Sequence, residues 1–204
     1  MLDPMLDPAV LAVVGPERIR GLNREQFEGL IKLGVFADQH VELLRGVLVE
    51  MTVQEEPHAR ISAWFHKVLV RGLDDHFEIR GHSSFAATED SVPEPDIAVY
   101  AMELRTRLPR EALLLVEVAD TSLAKDRKIK TEIYAEAGVP EYWIANVRAH
   151  RVEVHTRPGP DGYSDVRTYA GDEVLRPASL HPFELRVSDV PWEPQERPAA
   201  KKQR

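Results

Sequence analysis

The sequence predicts a mixed α/β domain: a central mixed β-sheet flanked by helices, with a β-rich C-terminal part. Three observations predict it. Stretches with apolar residues at helical spacing alternate with short runs rich in Val, Leu, Ile and aromatics. The run 112–118 is apolar apart from Glu117 inside it, as in a strand buried on both faces. The order of elements reads helix, hairpin, helix, several strands, helix, strands, which suits one mixed sheet with helices against it.

Taken in order, residues 1–16 repeat Met-Leu-Asp-Pro and read as a flexible arm. Asn23 is placed to cap a helix over 24–34, with Phe27, Leu30 and Ile31 at helical spacing and Gly34 as its stop. Two apolar runs within 41–51 flank Arg45-Gly46, which predicts a β-hairpin. Pro57 opens a helix over 58–73, whose Ile61, Trp64, Phe65, Val68, Leu69 and Leu73 form one stripe. Short strands are expected at 77–82 and 85–88. The prolines of 91–96 force an extended lead-in to a strand at 97–100. A helix over 125–137 ends at Gly138. Strands at 142–146, 151–156, 163–169 and 183–187 follow. Residues 17–190 form one domain in this reading, and the Pro-rich end 191–204 is a disordered tail.

Composition removes several functions. The 204 residues contain no Cys, so disulfides, zinc–thiolate sites, iron–sulfur clusters and thiol nucleophiles are excluded. No apolar stretch approaches the roughly 18 residues of a membrane span, and no secretory leader is apparent, so a cytoplasmic protein is expected. The formal net charge of −8 cannot hold nucleic acid by bulk attraction. The region 121–157, with 7 bases against 5 acids, is the better place for an anion. There is no nucleophile elbow, P-loop or dinucleotide fingerprint.

Glu117 is the anomaly. A carboxylate inside a buried strand is costly unless it is paired or bound to a cation. Asp96 opens the preceding strand, so both acids can converge at one sheet edge, where a divalent cation would relieve their repulsion. Oxygen ligands without Cys suit Mg²⁺ or Mn²⁺. Asp126, Lys130 and Tyr134 share a helix face at i, i+4, i+8, next to Ile129 and Ile133, which should pack on the sheet. Lys130 can thus reach Glu117. Structural roles stand beside these. Asp96 could cap a turn, Glu117 could pair with a buried base, and Lys130 could form an exposed pair with Asp126. Glu42 could face solvent, and His58 could lie on the first turn of a helix.

Pro95-Asp96, then Val116-Glu-Val-Ala-Asp-Thr-Ser-Leu-Ala-Lys-Asp126, Lys130, Tyr134 and Ala137-Gly-Val-Pro-Glu-Tyr-Trp-Ile144 resemble the Uma-type restriction-endonuclease-like family of the PD-(D/E)XK nuclease superfamily. Val41-Glu-Leu-Leu-Arg-Gly46, Val49-Glu-Met51 and Pro57-His58 resemble its N-terminal signature. The resemblance spans roughly 22–188 and implies a restriction-endonuclease-like core. It implies a metal-dependent endonuclease, with DNA as substrate and Mg²⁺ or Mn²⁺ as cofactor. Asp96 and Glu117 take the places of the metal-binding acids. The superfamily's usual Lys position is Ala119 here, and Lys130 is its replacement on the following helix. Glu42 and the Val118 carbonyl can join the metal shell, and His58, Asp126 and Tyr134 can support it. Asn146 stands where the family usually has Asp. Cutting both strands of a duplex would favour a homodimer. The alternative is a nuclease-like scaffold that has lost catalysis and serves as a binding or assembly module, with which the net negative charge agrees.

Overall fold

The computed structural model of the chain describes residues 20–51, 54–103 and 106–193. The expected arm at 1–16 lies outside the described residues, as does the expected tail 191–204 beyond 193. Trp192, at the start of that tail, is instead buried in the core and donates through Nε1 to the Val187 carbonyl, because its indole completes the apolar packing. Helix α1 (Arg24–Lys32) starts at a capping box in which Asn23 and Gln26 exchange side-chain and backbone hydrogen bonds. Gly34, at φ 73°, follows its end. Strands β1 (Val41–Leu44) and β2 (Val47–Glu50) form the expected hairpin. Arg45 and Gly46 both have positive φ, 50° and 81°, as a two-residue turn between twisted strands requires. Helix α2 (Glu56–Gly72) has Pro57 in its first turn and buries Ile61, Phe65 and Leu69.

Six strands make the main sheet: β3 (Phe77–Gly81), β4 (Ile97–Ala101), β5 (Leu114–Ala119), β6 (Glu141–Asn146), β7 (Arg151–Gly159) and β8 (Gly162–Ala170), hydrogen-bonded in that order. All neighbours are antiparallel except β5 and β6. That parallel pair needs a crossover, and helix α3 supplies it. The segments Leu123–Lys125, Asp126–Lys130 and Thr131–Glu136 run on as α3, the middle one being a π-turn.

Two side-chain layers follow from the two-residue period of the strands. Leu114, Val116 and Val118 of β5 face α2 and join Phe65 and Leu69 in one core. Leu115 and Ala119 face α3 and join Ile133, Tyr134, Tyr142 and Ile144 in the other. Glu117, of the same parity, falls on the α3 side.

Three expectations need correction. Residues 85–88 are not a strand. Phe85 and Ala86 donate to the carbonyls of Pro93 and Pro109, and only Thr88 forms a bridge, to Ser91. Prolines at 93 and 95 cannot donate to a ladder. The strand expected at 183–187 shrinks to β10 (Leu185–Arg186), paired with β9 (Val174–Leu175). Ile129 does not pack on the sheet; it is 41% exposed. The π-turn explains this. Thr131 N–H bonds the carbonyl five residues back, at Asp126, so the turn holds an extra residue. Asp126 and Lys130 are turned inward in its place.

Candidate active site

Sheet register brings the two acids together. In the antiparallel β4–β5 ladder Ile97 is opposite Val116, Ala98 opposite Leu115 and Val99 opposite Leu114. One step further sets Asp96 opposite Glu117. Both have the parity of the α3 face, and opposed residues on one face hold their Cβ atoms about 4.5–5.5 Å apart. Like charges so placed repel. The same arithmetic on the β3–β4 ladder, where Gly81 opposes Ile97, sets His82 opposite Asp96 on its other side. Asp96 thus stands between an imidazole and a carboxylate.

Each acid is held by partners of its own. Asp96 Oδ2 accepts from Val118 N–H at 2.7 Å and lies 3.0 Å from His58 Nε2. Its Oδ1 has only longer contacts, 3.5 Å to Gln54 Nε2 and to His82 Nδ1. Burial pushes the Asp96 carboxyl up, but His58 and the Val118 amide outweigh it and hold it below the ordinary range. Glu117 Oε1 accepts from Lys130 Nζ at 2.8 Å and from Tyr134 O–H at 2.7 Å. Its Oε2 accepts no hydrogen bond among the described residues. Burial pushes the Glu117 carboxyl up to about 8, against the pull of Lys130 and with the push of Asp96.

Lys130 is 2% exposed. Burial alone would lower its pKa, but Glu117, Glu42 and Asp126 outweigh that and raise it, so the ammonium persists. Glu42, from β1, is fully buried. Its Oε2 is 3.2 Å from Lys130 Nζ, and its Oε1 accepts from Lys125 Nζ at 2.7 Å. Both its oxygens are therefore spent on lysines. Glu42 aims the ammonium of Lys130 and does not line the cavity.

These groups surround a cavity of about 300 Å³. Its walls carry six carboxyl residues, Glu55, Glu94, Asp96, Glu117, Asp120 and Asp126, against two lysines, Lys125 and Lys130. The excess of carboxylates suits a cation. Asp96 and Glu117 offer oxygen, and the Val118 carbonyl points to the same strand edge as the Val118 amide that Asp96 binds. This donor set fits Mg²⁺ or Mn²⁺, which use one or two carboxylates and keep water on the remaining positions. Among the described residues no three His, Asp or Glu side chains stand ready as a complete metal cage.

Asp96, Glu117, Lys130, Tyr134, His58 and Asp126 therefore gather at one place. Asp126 is 1% exposed and accepts from Ser122 Oγ at 2.5 Å. The exposed Asp126–Lys130 pair considered from sequence does not form, because the π-turn buries both residues. Asn146 is apart from the cavity, its Oδ1 accepting from Ala149 N–H at 3.1 Å as a turn bond. Sequence reasoning missed Lys125, His82 and Gln54. His82 carried a signal: it is the last residue of the strand expected at 77–82, which lies beside the strand that begins after Asp96.

Comparison with known proteins bears on the family and the fold. The family model Uma2, described as "Putative restriction endonuclease", matches residues 24–188. The fold is similar to that of a solved structure described as a "putative nuclease" from Anabaena variabilis, with a TM-score of 0.66 and 15% identity, covering 76% of this chain and 92% of that one. No curated protein matches the sequence. Among the described residues no helix is long and apolar enough to cross a membrane.

Proposed function

This chain belongs to the Uma2 family, and on that premise we propose that it is a metal-dependent endonuclease that hydrolyses phosphodiester bonds of DNA. The observation that carries the proposal is the register that sets Asp96 opposite Glu117 at the cavity, with Lys130 bonded to one of them. Alone, a cavity walled by six carboxyl residues and two lysines repels a phosphodiester. A divalent cation, when bound, supplies Lewis-acid stabilisation of charge on phosphoryl oxygens and makes water a stronger acid.

Asp96, Glu117 and the Val118 carbonyl are the groups proposed to hold that cation. His58 and the Val118 amide fix the Asp96 carboxylate in orientation. Tyr134 and Lys130 fix Glu117, which lines the cavity, through Oε1 and leave Oε2 without a hydrogen bond among the described residues. Lys130 has three N–H donors and spends two on Glu117 and Glu42. Its third can stabilise negative charge on a phosphoryl oxygen. Glu42 acts through Lys130, as a positioning residue.

The test is incubation of circular duplex DNA, and separately of single-stranded DNA, with the chain and Mg²⁺ or Mn²⁺. Metal-dependent nicking or linearisation, lost in Asp96→Asn and Glu117→Gln, is the expected result. Absence of cleavage under every condition favours the second reading, a scaffold without catalysis, which the net charge of −8 supports. A homodimer would give an active enzyme two sites, one for each strand.

A further inference from the structure

We propose that Lys125 is a substrate-binding residue that holds a backbone phosphate of the DNA strand where the cavity opens to solvent, an inference that rests on the reading given above. The region 121–157 carries 7 bases against 5 acids. Of those bases only Lys125 and Lys130 line the cavity. The two differ in reach. Lys130 is 2% exposed and bonds Glu117 and Glu42, so it serves an oxygen already inside. The Lys125 side chain is 30% exposed. Among the described residues its Nζ bonds only Glu42 Oε1, at 2.7 Å. An ammonium has three N–H donors, so two are left for a ligand that enters from solvent.

The surroundings call for that ammonium. A divalent cation at Asp96 and Glu117 answers the charge of the scissile phosphate. The neighbouring phosphates of the strand still meet walls that carry Glu55, Glu94 and Asp120, and like charges repel. Lys125 is the exposed cation on those walls. It is also aimed. Glu42 is fully buried and bridges Lys125 and Lys130, at 2.7 and 3.2 Å, so one carboxylate is shared between two ammoniums. That sharing leaves positive charge in excess on this side of the cavity and fixes where Lys125 presents it. The other bases nearby are committed elsewhere: Arg127 forks onto Glu153, and Arg148 bonds Asp120 at 2.7 Å.

Cleavage of circular duplex DNA by the full chain with Mg²⁺ tests this, with kcat and KM measured between about 50 and 200 mM KCl. Lys125→Met should raise KM at least about fivefold and make the fall of log(kcat/KM) with log salt shallower by about 0.9, the slope of one duplex phosphate contact. Lys125→Arg keeps the charge and should return both toward their wild-type values. A wild-type KM and salt slope in Lys125→Met overturn the inference and leave the site reading intact. So does a fall in kcat, or in Mn²⁺ affinity by calorimetric titration, with the wild-type salt slope, since that result marks a role exerted only through Glu42 and Lys130. Failure of the wild-type chain to cleave under every condition overturns both the inference and the reading beneath it. Should Lys125→Met not fold, Lys125→Gln, whose amide can still donate to Glu42, is read for the same two quantities.

Discussion

Replacing Lys130 by Met keeps most of the side chain's length and removes its charge, which isolates what the ammonium does. Lys130 is 2% exposed and bonds Glu117 at 2.8 Å and Glu42 at 3.2 Å. Breaking a buried ion pair by removing one partner costs about 3–5 kcal/mol, because the other charge is left buried. Two features hold the cost toward the lower end. Glu42 keeps Lys125 and an N–H from Glu94. Glu117, with its carboxyl already pushed up to about 8, can take a proton. A loss of about 3 kcal/mol is therefore expected at pH 7.5, read by urea denaturation followed by circular dichroism. Adding Glu117→Gln to Lys130→Met removes the stranded acid and should recover about 1–2 kcal/mol, so the double-mutant cycle is strongly non-additive. A loss below about 1 kcal/mol, typical of an exposed pair, would refute the reasoning. So would single effects that sum to within about 0.5 kcal/mol.

Further outcomes follow from the same contacts. Glu117 titrates higher folded than its ordinary 4.5, so the folded chain holds a proton that the unfolded chain has released between pH 4.5 and about 8. Its contribution to stability is present below pH 4.5 and is lost as pH rises through about 8. Glu117→Gln should flatten the decline over that window in pH-dependent urea melts, and an equal slope in both proteins would contradict it. Gly46 has φ 81°, and a Cβ there would meet Gly21 Cα at 3.2 Å. Gly46→Ala should cost at least about 1 kcal/mol by thermal denaturation, and an unchanged melting temperature would show that the hairpin adapts. Asn23→Ala removes the side-chain acceptor of the α1 capping box, keeping the backbone N–H that donates to Gln26, and should cost about 1 kcal/mol in the same assay.

Much of this architecture was legible in the sequence because it follows from local patterning. Asn23, the Arg45-Gly46 turn, Pro57 and the apolar run around Glu117 each impose a local conformation, and each is found where expected. The meeting of Asp96, Glu117 and Lys130 was foreseeable for the same reason. A lone acid in a buried strand must find a partner, and the next helix offers one. What escaped depends on contacts between distant segments. Residues 85–88 have strand-like composition but bond to loops around Pro93 and Pro109. Residue spacing assumes an α-helix, so the π-turn that expels Ile129 and buries Asp126 was invisible to it. Glu42 and Lys125, which meet at 2.7 Å, are 83 residues apart, and their pairing depends on where the β1–β2 hairpin docks.

The central claim is that the edge formed by Asp96 and Glu117 is a divalent-cation site, and thermal denaturation with and without Mn²⁺ tests it most directly. At a free Mn²⁺ concentration about 100 times Kd, binding to the folded chain alone stabilises it by about 2.7 kcal/mol, on the order of 5–10 °C in Tm for a chain of this size. The wild-type protein should show that rise, and Glu117→Gln should show none. The same rise in Glu117→Gln, or no rise in the wild-type protein, would contradict the claim.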